Sequence, residues 1–234
     1  IAAIAMTFVI TTGGIDLSVG STLAIVNATC AVLLQIETNW VLVIFILIFI
    51  GVVCGLVQGY FIAFEGIPAF IVTLAGMSAI RGIALLMTEG FTIPIDKNLG
   101  IIFLGRGWLF GIPVPAIIAV IIIIFGYFLL NNTKFGRYIT GIGSNSEAVR
   151  RSGVNVKLYT LLTYVFCGVS ASIGGIIIAA RLGSGSSNAG VMFELEVIAA
   201  VVLGGTNLFG GRGTIIGTLL GAMTIAVIGN GLIL

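Results

Sequence analysis

Three observations predict the fold class of this chain: an all-α polytopic membrane helix bundle with an internal repeat and broken helices, truncated at both ends. Hydrophobic residues make up 59% of the 234 residues and Asp, Glu, Lys and Arg only 8%, against roughly 25% charged residues in a soluble domain. Glycine, at 34 residues, is about twice its usual share of roughly 7%. No G-X-Y period accompanies it and there are only four prolines, which excludes a collagen or a low-complexity linker. Apolar runs of about 20 residues, the length that crosses the hydrocarbon core, follow one another along the chain. A soluble enzyme, a nucleic-acid binder and a disordered segment are excluded. In a membrane, surplus glycine has a use, because it lets helices approach closely.

The elements follow in order. A short span at 1–12 precedes spans at 17–36, 40–64, 69–88, 114–130, 158–180, roughly 196–209 and 214–234. Residues 89–113 hold Pro94, Pro113, Trp108 and several Phe, an interfacial loop with an aromatic belt. Residues 131–157 are the strongly polar stretch and carry Lys134, Arg137, Arg150, Arg151 and Lys157, half of the ten basic residues. The positive-inside rule makes this loop cytoplasmic. Counting crossings then puts 37–39, 89–113 and 181–195 outside, and 65–68 and 204–213 inside. The chain begins with Ile1 and has apolar sequence at both ends, so a fragment of a longer protein is expected. It is read as a single transmembrane domain over 1–234.

The absent residue types narrow the chemistry. There is no His, hence no commonest metal ligand or general base. Cys30, Cys54 and Cys167 lie in apolar runs and read as small buried hydrophobes. No catalytic or metal-binding residue is expected, and no cofactor on this chain. No G-x-x-x-x-G-K-[ST] occurs, so any ATP hydrolysis belongs to another chain.

The octet Gly13-Gly14-Ile15-Asp16-Leu17-Ser18-Val19-Gly20 returns as Gly204-Gly205-Thr206-Asn207-Leu208-Phe209-Gly210-Gly211. Each copy interrupts apolar sequence, and an even number of crossings puts both on the cytoplasmic side. Paired breaks of this kind build the substrate or coupling region of transporters, which singles out Gly13, Gly14, Asp16, Gly20, Gly204, Gly205, Asn207 and Gly210. Asp16 is an intramembrane carboxylate and so a functional candidate. The preferred reading is that Asp16 and Asn207 cap helices starting at Leu17 and Leu208.

Arg81 lies well inside a span, where it pairs with a carboxylate across the bundle, contacts the pathway, or snorkels past Leu85. The trios Gly51, Gly55, Gly59 and Gly213, Gly217, Gly221 each fall on one helix face and predict close packing. Asn27, Gln58, Thr73, Ser78 and Asn230 are the other polar span residues and the candidates for lining a pathway. Within the polar loop, Ser144-Asn145-Ser146-Glu147 has the S-x-x-E form of a capping box. Ala148 through Arg150, Arg151 and Ser152 make barely two turns, and Gly153 is a natural stop. Such a helix buries little by itself. It is either a docking helix for a partner or an ordinary solvated loop.

The strings GGIDLSVG at 13–20, GRY at 136–138, GSNSEAVRRSGV at 143–154 and AVVLGGTNLFGGRGTIIGTLLG at 200–221 resemble the ribose-type permeases of bacterial ABC importers. So do AFIVTL at 69–74 and Arg81-Gly82. The resemblance runs in order through essentially the whole chain and belongs to the branched-chain amino acid/ribose permease superfamily. It implies a non-enzymatic transmembrane subunit that moves a monosaccharide by alternating access. It also implies three partners: a second permease copy or paired homologue, a cytoplasmic ABC ATPase that binds ATP and Mg, and an extracytoplasmic sugar-binding protein. The stretch Ser144, Ser146, Glu147, Ala148, Arg150, Arg151, Gly153 resembles the coupling helix that meets the ATPase. Rival readings are the same machine carrying a branched-chain amino acid or nucleoside, an ion-coupled secondary transporter, and an intramembrane enzyme. The last two lack the intramembrane carboxylates and His that their chemistry needs.

Overall fold

The computed structural model describes residues 1–231, without the side chain of Asn230. The helices are α1 (Ala2–Thr11), α2 (Val19–Gln35), α3 (Trp40–Ala63), α4 (Ala69–Thr88), α5 (Ile102–Arg106), α6 (Val114–Asn132), α7 (Lys134–Arg151), α8 (Val156–Leu182), α9 (Phe193–Leu203) and α10 (Ile215–Gly231). Four two-residue strands complete them: β1 (Ile93–Pro94), β2 (Trp108–Leu109), β3 (Ile112–Pro113) and β4 (Ser184–Gly185). The fold is an all-α membrane bundle, as predicted. Four helices, α3, α4, α6 and α8, are long and apolar enough to cross a bilayer on their own.

The bundle is organised around α2. Every residue from Ser18 to Ala31 is buried, with α3, α4, α8 and α9 packed about it. The outer helices show the opposite pattern. Phe45, Phe49, Leu86, Ile121, Phe128 and Val227 point outward as exposed large hydrophobics, which is stable only against lipid or another apolar surface. The uniformly apolar sequence of these helices is what the absence of a water-facing side requires.

Contacts sort the connections into two ends. At one end Lys157 donates to the Phe64 carbonyl, and Gly143 lies against Thr11 and Gly211. At the other, β1 pairs antiparallel with β4, and Gly100 packs on the Trp40 ring. The connections at 65–68, 131–157 and 204–213 therefore share one end, and those at 36–39 and 89–113 the other.

Three expected boundaries change. The span placed at roughly 196–209 is the 11-residue α9, about 16 Å long at 1.5 Å per residue and half of a crossing. The connection placed wholly outside at 181–195 supplies the rest, because it re-enters the bundle. Ser186 N donates to the Asn27 Oδ1 at 2.7 Å, and Gly190 then lies against Gly20 and Leu23. The segment thus follows α2 backwards over about 10 Å. The polar loop at 131–157 is largely helical, for α7 runs through most of it. Its first half buries Gly136, Ile139 and Ile142, while Phe135 packs among Phe8, Tyr159 and Phe166. Charges on either side hide this Phe135–Ile139–Ile142 stripe in the sequence.

The glycine stripes account for the tightest packing. A Cβ on Gly51 would strike the Gly168 carbonyl and the Ser172 hydroxyl, and one on Gly55 the Tyr164 carbonyl, so α3 and α8 touch backbone to backbone. On the second stripe, Gly217 meets the Gly204 carbonyl and Gly221 the Ala200 carbonyl. Approach this close supports Cα–H···O contacts as well as dispersion. Gly51→Val should therefore lower the detergent thermal stability by roughly 1–3 kcal/mol, the usual cost of overpacking. Gly82→Ala, whose added carbon would meet nothing within 4 Å, should leave the melting temperature unchanged or slightly raised. Equal melting curves for the two variants would contradict the packing account.

Candidate functional site

The first break ends α1 with a left-handed glycine. Gly13 has φ 84, which lets Gly13 N reach the Ile10 carbonyl at 2.9 Å and Gly14 N the Val9 carbonyl at 3.1 Å. This is a Schellman closure. Gly14 presses directly on the Tyr164 hydroxyl. Asp16 is 3% exposed, and its Oδ1 accepts from Ser18 N at 2.9 Å and Ser18 Oγ at 2.7 Å. Helix α2 starts at Val19 rather than Leu17, so Asp16 holds a turn ahead of the helix instead of capping its first residue. The Gln58 amide nitrogen donates to the same Ser18 hydroxyl at 2.7 Å, and Thr73 Oγ1 lies 3.3 Å from the Ile15 carbonyl. Helices α3 and α4 thus each hold the break at a backbone or hydroxyl group that lipid would leave unsatisfied.

The second break repeats the chemistry in a shifted register. Gly205, with φ 85, donates to the Val202 carbonyl at 2.9 Å and Thr206 N to Val201 at 3.3 Å. The closing glycine is therefore the second of the pair here and the first in the earlier copy. Asn207 Oδ1 accepts from Phe209 N at 3.1 Å, the same side-chain turn that Asp16 makes. Helix α10 starts at Ile215 rather than Leu208, so Asn207 does not cap a helix. Gly204 lies against Gly217 on α10. Gly20 falls within the first turn of α2, where the Glu194 carboxylate and the Gly190 carbonyl crowd it.

The two breaks meet each other and α7 at one junction. Gly211 N donates to the Thr11 carbonyl at 2.9 Å. A Cβ on Gly210 would lie 3.0 Å from both the Gly13 and the Gly143 Cα, and one on Gly143 would strike Thr11 O and Gly211 N. Immediately afterwards α7 bends: Asn145 is extended, at φ −161 and ψ 93. The expected Ser144–Glu147 capping box is not formed. Ser144 Oγ still donates back to the Thr140 carbonyl at 3.0 Å, so it closes the preceding helix. Asn145 Oδ1 accepts from Ala148 N at 2.9 Å and is the actual N-cap.

Beyond the bend, Ser146, Glu147, Ala148, Arg150 and Arg151 are all exposed, and Gly153 ends the projection with φ 85. Glu147 takes Arg150 in both carboxylate oxygens, at 2.8 and 2.9 Å, and Arg151 at 3.0 Å. These hydrogen bonds, from Arg150 first and Arg151 second, hold its carboxyl down at about 2.

The polar span residues separate into two groups. Asn27, Gln58 and Thr73 are buried and spend their polar atoms on neighbouring elements: Asn27 bonds the Gly175 carbonyl and Ser186 N. Among the described residues, they line none of five cavities in the bundle. Ser78 and Arg81 do line one, of about 320 Å³, together with Met77, Gly82, Leu85, Val191, Met192 and Glu194. Arg81 neither pairs directly with a carboxylate nor reaches past Leu85. Its guanidinium donates to the carbonyls of Ser187 and Ala189, each at 2.9 Å, and of Gly190 at 3.2 Å. Glu194, only 8% exposed, escapes sequence reasoning because it falls in the stretch assigned to an outer loop. The polar, glycine-rich run just before it was the available signal of re-entry. The side chain of Asn230 lies outside the described residues.

Comparison with known proteins gives a consistent result. The family described as "Branched-chain amino acid transport system / permease component" matches residues 1–234. The ribose import permease protein of Escherichia coli (strain K12) is 41% identical over 99% of this chain and 73% of its own length. The ribose import permease protein of Bacillus subtilis (strain 168) is 43% identical over 98% and 72%. The galactofuranose transporter permease protein of Escherichia coli (strain K12) is 39% identical over 99% and 68%. No solved structure matches.

The Glu147 cluster makes a pH prediction with a definite sign. A carboxyl held below its unfolded value of about 4.3 favours the folded arrangement fully above that pH. The contribution is lost as pH falls through about 2. The Glu147 carboxyl carbon should titrate near that value by NMR in micelles, and its midpoint should rise toward about 4.3 in the Arg150→Ala/Arg151→Ala double variant. A midpoint that the two arginines do not influence would remove the cluster.

Proposed function

The chain belongs to the family of permease components of branched-chain amino acid transport systems, and from that premise we propose that it is the transmembrane subunit of an ATP-driven importer of a neutral monosaccharide. The observation that carries the cargo assignment is the agreement of its relatives, whose names give ribose, galactofuranose and xylose. The chemistry of the interior supports it. Few charges lie inside the spans, and a neutral polyol needs hydrogen-bonding groups and apolar surface rather than fixed charge.

In this reading the exposed projection from Ser146 to Arg151 enters a cleft of a cytoplasmic ABC ATPase, and the end of the bundle carrying α7 faces the cytoplasm. ATP and Mg are bound by that partner. The bend at Asn145 separates the docking part of α7 from its bundle-packed part. Motion imposed there reaches Gly143, which touches both chain breaks. Force is thereby delivered to α1, α2, α9 and α10 together, as the rigid-body rocking of alternating access requires. A second copy of the permease and an extracytoplasmic sugar-binding protein complete the assembly. The breaks act as the deformable joints of the bundle, and the path for cargo follows the α4 face at Ser78 and Arg81.

The family's description favours a branched-chain amino acid as the second reading, and one experiment separates the two. The full-length permease, reconstituted with its ATPase and receptor, should take up D-ribose, D-xylose or D-galactofuranose only when ATP is present inside the vesicle. Uptake without the ATPase, or of leucine in place of any sugar, would overturn the proposal. Gly143→Val should abolish ATP-driven uptake by spreading the junction, with ATP hydrolysis by the isolated ATPase unaffected.

A further inference from the structure

At the foot of the re-entrant segment, the buried Glu194 and the Arg81 guanidinium line one cavity that opens on the α4 face, where Ser78, Leu85, Val191 and Met192 are exposed. Arg81 lies about 18 Å along α4 from its start at Ala69, at 1.5 Å per residue. Glu194 lies in the first turn of α9, where the re-entrant segment turns back into helix. No described residue bonds the Glu194 Oε2, although that atom is buried. It rests instead against Gly20, beside the Gly190 carbonyl. A buried acceptor without a donor is costly, and the neighbouring Arg81 offsets the charge without bonding it.

We propose that Glu194 is a specificity-determining residue of this permease, accepting a hydroxyl of the passing sugar in the cavity that Arg81 and Ser78 also line. The donor and acceptor inventory fits a sugar. A guanidinium has five N–H donors, and Arg81 uses three of them on the Ser187, Ala189 and Gly190 carbonyls. Two remain for ligand oxygens. Ser78 gives its proton to the Leu74 carbonyl at 3.3 Å and keeps lone pairs to accept. The Glu194 carboxylate is acceptor only. Met77, Leu85, Val191 and Met192 supply apolar wall, which suits the C–H face of a ring. One positive and one negative group give the cavity no net charge, as a neutral ligand prefers.

The assignment rests on the sugar reading above, and the test keeps the two apart. Uptake of D-ribose and of its 2-deoxy and 3-deoxy analogues is measured in vesicles with the same ATPase and receptor, for wild type and Glu194→Gln. Receptor preference is common to both and cancels in the comparison. Wild type should favour ribose over one deoxy analogue, and Glu194→Gln should shrink that preference by about tenfold or more, the weight of a hydrogen bond to a charged group. Uptake of all three sugars lowered in proportion would mean that Glu194 only props the fold, and would overturn the proposal. A second variant does not depend on Glu194 at all. In full-length Ser78→Cys, thiol labelling beyond the background of the native cysteines should be slowed several-fold by millimolar D-ribose. Labelling indifferent to ribose, in vesicles that import it, would also overturn the proposal. If wild type imports no pentose and carries leucine, the sugar reading itself has failed, and this assignment with it.

Discussion

The fold depends on one constraint, that backbone polar groups inside a bilayer must find partners within the protein. Three stretches of this chain leave helical conformation at or within the bundle, at 12–18, 183–192 and 204–214. Each is satisfied differently. The first is held by Ser18, Gln58 and Thr73, and the re-entrant stretch by Asn27 and the Arg81 guanidinium. The last is held by Thr206 Oγ1, which accepts from Thr214 N, and by the bond from Gly211 to Thr11. The scattered polar residues of the spans are therefore largely committed to backbone. Arg81 is the clearest case: an intramembrane charge that attracts functional readings serves three carbonyls first.

The same constraint explains the glycine. Gly13 and Gly205 supply the left-handed φ that closes the two helices ahead of the breaks. Gly143 and Gly210 have a different task, because the two breaks and α7 approach within the space of a missing Cβ. A side chain at either position would separate elements whose backbone groups need one another. The helices on either side of the second break are locked by glycine-mediated contacts, Gly217 on Gly204 and Gly221 on Ala200.

Much of the molecule was legible in the sequence because bilayer crossing is a one-dimensional requirement. Length and apolarity located α3, α4, α6 and α8 to within a few residues, and the GG-x-[DN] repeat located both breaks. Local register was less legible. Ser144–Glu147 has the form of a capping box, yet whether Ser144 or Asn145 caps depends on where the preceding helix stops. That is set by Gly143 meeting Thr11 and Gly211, residues more than 60 positions away in sequence on each side. Glu194 was missed for a similar reason: a short polar, glycine-rich run reads as a surface loop unless it is known to fold back along α2.

Legible in the sequence alone were the membrane bundle, the four long apolar helices α3, α4, α6 and α8, the two paired breaks and the basic segment between α6 and α8. These follow from composition, spacing and charge, which act locally along the chain. The hydrogen-bond partners of the polar interior residues came from the folded arrangement. Whether Asn27, Gln58 and Thr73 face a path or a neighbour, and whether Arg81 meets a carboxylate or a row of carbonyls, depends on which elements lie beside them. Hydrogen bonds are short-ranged and directional, so their partners are fixed by packing in three dimensions. The surplus of glycine visible in the composition became a statement about particular contacts only once the chain was folded.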